Sequence, residues 1–204
     1  MENFTQEHIN KYIEYVCIYR VKSGFKAISE IEEINKSEEE IRKLYHSNGG
    51  IQKWLADELN LTLEELGNLE SNDKVISEKE TIDKLFKNQF NNKRKDGFGN
   101  FKSFYEWYIK QENKCYYCDT SSDTLKILFD SEKLKSSKFN STLHIEQLDP
   151  KKGYNEDNCR LSCSLCNNTK SDLISKDNYK KYFKDSMSNF LNDLKNNKIE
   201  NKTF

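Results

Sequence analysis

Residues 141–170 read STLHIEQLDPKKGYNEDNCRLSCSLCNNTK, and the periodicities in that run decide the architecture of the second half of the chain. Thr142 to Leu148 alternates in the manner of a strand. Leu143, Ile145 and Gln147 fall on one face, His144, Glu146 and Leu148 on the other. Asp149-Pro150-Lys151-Lys152-Gly153 interrupts the pattern as a loop, and Cys159-Arg160-Leu161-Ser162 can return as a second strand. From Cys163 to about Leu173 the spacing predicts a helix. The expectation is strand, loop, strand, helix: a compact ββα unit.

The helix of that unit begins at a cysteine pair. Cys163-Ser-Leu-Cys166 has a counterpart upstream in Cys115-Tyr-Tyr-Cys118, and 44 residues separate the two pairs. A C-x-x-C knuckle lets two thiolates reach one ion, and two knuckles complete the tetrahedral four-thiolate shell that zinc prefers. The expected cofactor is therefore a structural Zn²⁺ held by Cys115, Cys118, Cys163 and Cys166. With all four positions filled by cysteine, no open coordination site is left for catalysis. A thioredoxin-like redox motif needs only one pair and a βαβ context, and neither condition is met. Cys17 and Cys159 fall outside the pattern and read as buried apolar thiols. A small domain rich in lysine and asparagine has a thin core, so metal binding is expected to supply part of its folding free energy.

Working outward, charge divides the chain. The formal net charge of the 204 residues is -1, but residues 1–80 hold 10 Lys and Arg against 17 Asp and Glu, and residues 81–204 hold 23 against 17. The balances are -7 and +6, so the basic part is the one suited to a polyanion, although two solvated helical surfaces of opposite sign would look the same. Lysine outnumbers arginine 29 to 4 and asparagine reaches 23, a bias that an AT-rich genome produces unaided. Individual lysines thus need positional support. Lys151 and Lys152 have it, beside the loop of the ββα unit, with Lys126, Lys133, Lys135 and Lys138 upstream. Clustering of this kind favours phosphate contact with strong salt dependence.

The first half reads as helical. Ile9, Tyr12, Ile13 and Val16 repeat at helical spacing behind Thr5, and Ser37/Glu40, Thr62/Glu65 and Ser77/Glu80 fit the capping box, predicting helix starts near 38, 63 and 78. Ser47-Asn48-Gly49-Gly50 is a break, and Trp54, Leu55, Leu59 and Leu66 are core candidates. A helix-turn-helix DNA reader is conceivable there, but the acidic face argues against phosphate contact. Residues 91–100, NNKRKDGFGN, read as a basic linker, and Phe101, Phe104, Tyr105 and Tyr108 as an apolar helical stripe. Tyr179, Tyr182, Phe183, Met187, Phe190, Leu191 and Leu194 predict a closing C-terminal helix. The fold class is therefore α+β: an all-helical region over 1–95, then 96–204 with the zinc-clamped unit and its closing helix. No stretch approaches the ~20 apolar residues of a membrane span, so no membrane partner is expected. The opening MENFTQEHINKYIEY shows no basic-then-apolar pattern, so a reducing cytoplasm is the expected location.

Over residues 112–175 these motifs resemble the ββα-metal core of the HNH endonucleases, in the subfamily clamped by two C-x-x-C pairs. That family shows an acidic-His-hydrophobic-x-Pro stretch, a glycine-containing loop, an Asn, then C-x-x-C-N-x-x-K. The matching residues are Glu146, Leu148, Pro150, Gly153, Asn158, Cys163, Cys166, Asn167 and Lys170. The resemblance implies hydrolysis of phosphodiester bonds in double-stranded DNA, in a setting of restriction or anti-phage defence. It implies that Glu146 and Asn167 hold a catalytic Mg²⁺ or Mn²⁺, that Asn158 braces the loop between strands, and that Lys170 meets a phosphate. Carboxylate and amide oxygens suit such hard ions. One position departs from the pattern: the family's general-base histidine directly follows the acidic ligand, where this chain has Gln147. Glutamine can orient a water but cannot take its proton at neutral pH. His144 shares a strand face with Glu146 and could substitute as base, or could be a packed or DNA-facing histidine; Asp149 is a further candidate. The alternative to an enzyme is a catalytically inactive, zinc-stabilised module that binds nucleic acid or docks a partner. The region 1–95, about which the resemblance says nothing, would supply target reading, a homodimer contact or a protein-partner dock.

Overall fold

The computed structural model describes residues 4–21, 37–47, 49–90, 92–136 and 139–201. The chain divides into two compact units, Met1–Asn91 and Asn92–Phe204; the sequence places this boundary after residue 95. Among the described residues no helix is long and apolar enough to cross a membrane.

The first unit is helical. Helix α1 (Gln6–Ile13) buries Ile9, Tyr12 and Ile13, and a π-helical turn (Glu14–Ile18) carries the buried face on through Val16 and Cys17. Helix α2 (Glu38–His46) follows Ser37, whose backbone N–H donates to the Glu40 carboxylate at 2.8 Å. Helix α3 (Gly50–Leu59) ends at Asn60, which takes the left-handed conformation that asparagine tolerates. Helix α4 (Leu63–Glu70) starts at the expected Thr62/Glu65 capping box. Helix α5 (Asp73–Gln89) starts earlier than the sequence reading has it: Asn72 caps it by accepting from Lys74 N–H, which leaves Ser77 inside the helix. Trp54, Leu55, Leu59 and Leu66 are all buried, together with Leu69, Val75 and Ile82. Across this core the Tyr12 hydroxyl donates to Glu70 at 2.7 Å.

In the second unit, the stretch read as a linker contains a helix, α6 (Asn92–Phe98). The reason is tertiary contact: a Cβ on Gly97 would lie 1.4 Å from the Tyr154 carbonyl oxygen. Only glycine lets these backbones approach so closely. The Arg94 guanidinium also lies 5.1 Å from the Tyr154 ring centre. Helix α7 (Phe101–Ile109), capped by Asn100, buries Phe101, Phe104 and Trp107, while Tyr105 and Tyr108 are half-buried. Helix α8 (Ser122–Asp130) precedes strand β1 (His144–Gln147), a single 3₁₀ turn (Pro150–Lys152) and strand β2 (Cys159–Ser162).

The strands form one antiparallel two-stranded sheet, with His144 opposite Ser162, Ile145 opposite Leu161, Glu146 opposite Arg160 and Gln147 opposite Cys159. The strand over 142–148 is thus shorter than its alternation suggests. Helix α9 (Ser164–Lys170) follows directly and stops at Ser171, whose φ of 47° breaks the helical path before Leu173. Helix α10 (Lys176–Lys195) closes the unit with Tyr179, Leu191 and Leu194 buried, whereas Tyr182, expected on the same stripe, is 62% exposed. A helix-rich α+β arrangement with one small sheet results.

Candidate metal centre and adjoining carboxylate site

Each cysteine pair is shaped by local hydrogen bonding. Around the first, Lys114 and Ser121 form an antiparallel bridge, Cys115 N–H donates to the Thr120 carbonyl at 2.9 Å, and Asp119 turns the chain at φ 57°. Tyr116 N–H donates to Leu161 of β2 at 2.8 Å, which fastens this knuckle to the sheet. In the second pair, Cys163 is the N-cap of α9 and its sulfur accepts from Cys166 N–H at 3.4 Å. A helix start favours negative charge, which suits a pair of sulfur ligands placed there.

The four residues Cys115, Cys118, Cys163 and Cys166 are fully buried, and their sulfurs lie within 4.8 Å of one another. Cys118 and Cys163 sulfurs are 4.0 Å apart. A tetrahedral ion with Zn–S bonds of about 2.3 Å requires sulfurs about 3.8 Å apart. The cluster therefore could hold a structural metal such as zinc. Ionisation is uneven across it. Hydrogen bonds from neighbouring thiols, Cys118 first, hold Cys115 far below the ordinary thiol range, while Cys115 in turn pushes Cys163 and Cys166 far above it. A dication at the centre would relieve that conflict.

One strand away lies the carboxylate picked out by the sequence. Glu146 is 8% exposed, and its Oε1 accepts from Lys170 Nζ at 2.8 Å. Burial raises the Glu146 pKa above the usual carboxylate range, and Lys170 opposes that shift. Lys170 also donates to the Ser171 carbonyl at 3.0 Å and is 1% exposed. The sequence reading has Lys170 meeting a phosphate; in the structure α9 packs on β1 and brings its ammonium to Glu146. Asn167, half-buried, precedes Lys170 by three positions on α9 and so shares its face.

The remaining candidates surround this pair. Asn158, 5% exposed, spans the loop: its Nδ2 donates to the carbonyls of Asp149 at 2.8 Å and Gly153 at 2.7 Å, and its Oδ1 accepts from Asp149 N–H at 3.0 Å. Asp149 is itself engaged, accepting from Lys151 N–H at 3.0 Å as the cap of the 3₁₀ turn. His144, half-buried, has one ring nitrogen 3.3 Å from Asn140 Oδ1. Burial, then the charge of Arg94, lowers its pKa and favours the neutral ring. Gln147, also half-buried, ends β1 opposite Cys159. Lys151 and Lys152 are exposed on the 3₁₀ turn. They border a cleft of about 930 Å³ between the 148–158 loop and residues 170–177, whose walls carry four lysines and four aspartates. Of the upstream lysines, Lys133 donates to the Lys195 carbonyl at 2.9 Å, Lys135 pairs with Glu132, and Lys138 lies outside the described residues.

Tyr117 is a residue the sequence reading passes over, and Tyr179 enters it only as part of the C-terminal helical stripe. Their rings meet edge to face at 5.1 Å, and both hydroxyls are buried. Tyr117 sits between Cys115 and Cys118, and Glu146 is the charge that most raises its phenol pKa after burial itself. An aromatic inside a C-x-x-C pair was the available signal, but only packing tells which group its hydroxyl faces. No protein-family model matches this chain, and no curated protein or solved structure matches it.

Proposed function

We propose that the chain is a metal-dependent endonuclease of the HNH type, hydrolysing phosphodiester bonds in double-stranded DNA, with a structural zinc at the four cysteines. The observation that carries the reading is the placement of Glu146. A strand–loop–strand–helix unit, pinned at its helix start by the second cysteine pair, sets this carboxylate on the strand that packs against the helix bearing Asn167.

The donors suit the ion in kind. A carboxylate and an amide oxygen are hard ligands of the sort Mg²⁺ and Mn²⁺ take, while Lys170 holds one Glu146 oxygen. Bound by Glu146 and Asn167, such an ion would supply charge neutralisation at the scissile phosphate. The other tasks fall to side chains. His144, its ring biased to the neutral form, is the base that takes the proton of the attacking water. Gln147 orients that water by hydrogen bonding. Asn158 keeps the 149–158 loop in shape, and Lys151 and Lys152, exposed on it, hold the DNA backbone.

A second reading, a zinc-stabilised module that binds DNA without cutting it, is favoured by Gln147 in place of a histidine and by the Glu146–Lys170 pair. Supercoiled plasmid incubated with protein and Mg²⁺ or Mn²⁺ separates the two. Nicking that is lost in Glu146→Ala and His144→Ala supports the nuclease. Retained DNA binding with no nicking under either metal refutes it and leaves the binding module. Loss in Gln147→Ala but not in His144→Ala refutes His144 as the base.

A further inference from the structure

Burial of both partners sets the Glu146–Lys170 pair apart from four other ion pairs among the described residues of this unit. Lys114–Glu112, Lys135–Glu132, Lys184–Asp119 and Lys198–Asp193 all join side chains at least 39% exposed, whereas Lys170 and Glu146 side chains are 2% and 9% exposed. An exposed pair forms and breaks at little cost. A buried ammonium without its partner is strongly unfavourable, so this pair is a constitutive part of the fold.

The ammonium also occupies a particular place. It bridges the end of α9 to the middle of β1, with Oε1 of Glu146 at 2.8 Å and the Ser171 carbonyl at 3.0 Å. Both ends of the bridge are tied to the cysteine cluster. Lys170 follows Cys166 on the same short helix, and β1, which carries Glu146, pairs with β2, whose Leu161 carbonyl accepts from Tyr116 N–H at 2.8 Å. Two cations cannot share one carboxylate oxygen in a water-poor site without strong repulsion.

We infer that Lys170 is the resident cation of Glu146: it ties α9 to β1 through Oε1, and a divalent ion that takes this oxygen must displace it. Resting on the reading of Glu146 as a metal-binding carboxylate, this makes Lys170 a positioning residue that keeps divalent affinity low. The mixed cleft is where displacement would be felt, since Lys170 lines it together with Lys151 and Lys152.

The test uses the full chain with its cysteine site zinc-loaded, and Mn²⁺ alone as probe, followed by the loss of the free Mn²⁺ electron paramagnetic resonance signal. Lys170→Met keeps the length of the stem and removes the charge. It is expected to bind Mn²⁺ about tenfold more tightly than the unsubstituted protein, and Glu146→Gln/Lys170→Met is expected to lose that binding. Equal Mn²⁺ affinity in Lys170→Met and the unsubstituted protein overturns the inference. Should Lys170→Met fail to fold, recovery of its native circular dichroism by millimolar Mn²⁺ or by the added Glu146→Gln supports it. Recovery by neither overturns it. DNA cleavage is not part of the readout. A null result here therefore leaves the nuclease reading to the plasmid assay, and absence of nicking leaves the displacement result standing.

Discussion

Replacing Cys118 by serine is expected to unfold the second unit and spare the first. Four fully buried sulfurs within 4.8 Å surround one point, and three separate segments reach it: the 114–121 knuckle, β2 through the Tyr116–Leu161 hydrogen bond, and the start of α9. A structural zinc contributes about 10–16 kcal/mol of apparent folding free energy at neutral pH, whereas a domain's net stability is about 5–15 kcal/mol. Loss of the ion therefore removes as much free energy as the unit has in hand, and three remaining thiols cannot restore the four-coordinate shell. Met1–Asn91 has its own core, including Trp54, Leu66, Leu69 and Val75, and contains none of the four ligands. Two measurements check this. Metal analysis of the unsubstituted protein should give one zinc per chain, and hydrogen exchange should show protection lost across 101–170 in Cys118→Ser while α3–α5 stay protected. Full protection over 101–170 in a variant that carries no zinc would refute the reasoning, because the hydrophobic packing would then suffice alone.

Three smaller perturbations follow from the same geometry. Asn158→Ala removes three side-chain hydrogen bonds that close the loop; at about 1 kcal/mol each it should cost about 2–4 kcal/mol, read from the urea midpoint at unchanged slope. Gly97→Ala sets a Cβ on the Tyr154 carbonyl and should cost about 1–3 kcal/mol or more by the same assay. The folded-state pKa of His144 is depressed from 6.5 by burial and then by Arg94. Its contribution is thus fully present above about pH 6.5 and is lost as pH falls from there through the lowered pKa. The melting temperature of His144→Gln should accordingly fall less than that of the unsubstituted protein over that window, and parallel curves would refute the linkage.

Features carried by neighbouring residues were legible in the chain itself. The C-x-x-C spacing brings two sulfurs together within one turn, so each cysteine pair follows from counting, and the Thr62/Glu65 box sets the start of α4 by hydrogen bonds three residues apart. The antiparallel pairing of 144–147 with 159–162 follows equally from alternation either side of a proline turn. Local rules mislead where two compete: Asn72 and Ser77 are both helix caps in kind, and only the start that lets α5 bury Val75 is used. Packing between distant segments decided the remainder. Arg94 and Gly97 look like a flexible basic linker until Tyr154 is brought against them. That the Lys170 ammonium meets Glu146 follows only once α9 lies on β1. Spacing along the chain determines which two thiols share a knuckle and which caps form, since those contacts lie within a turn, whereas the meeting of the two knuckles is a tertiary contact. Whether a charge faces solvent or a buried partner depends on which surfaces exclude water, and that exists only after the elements have packed.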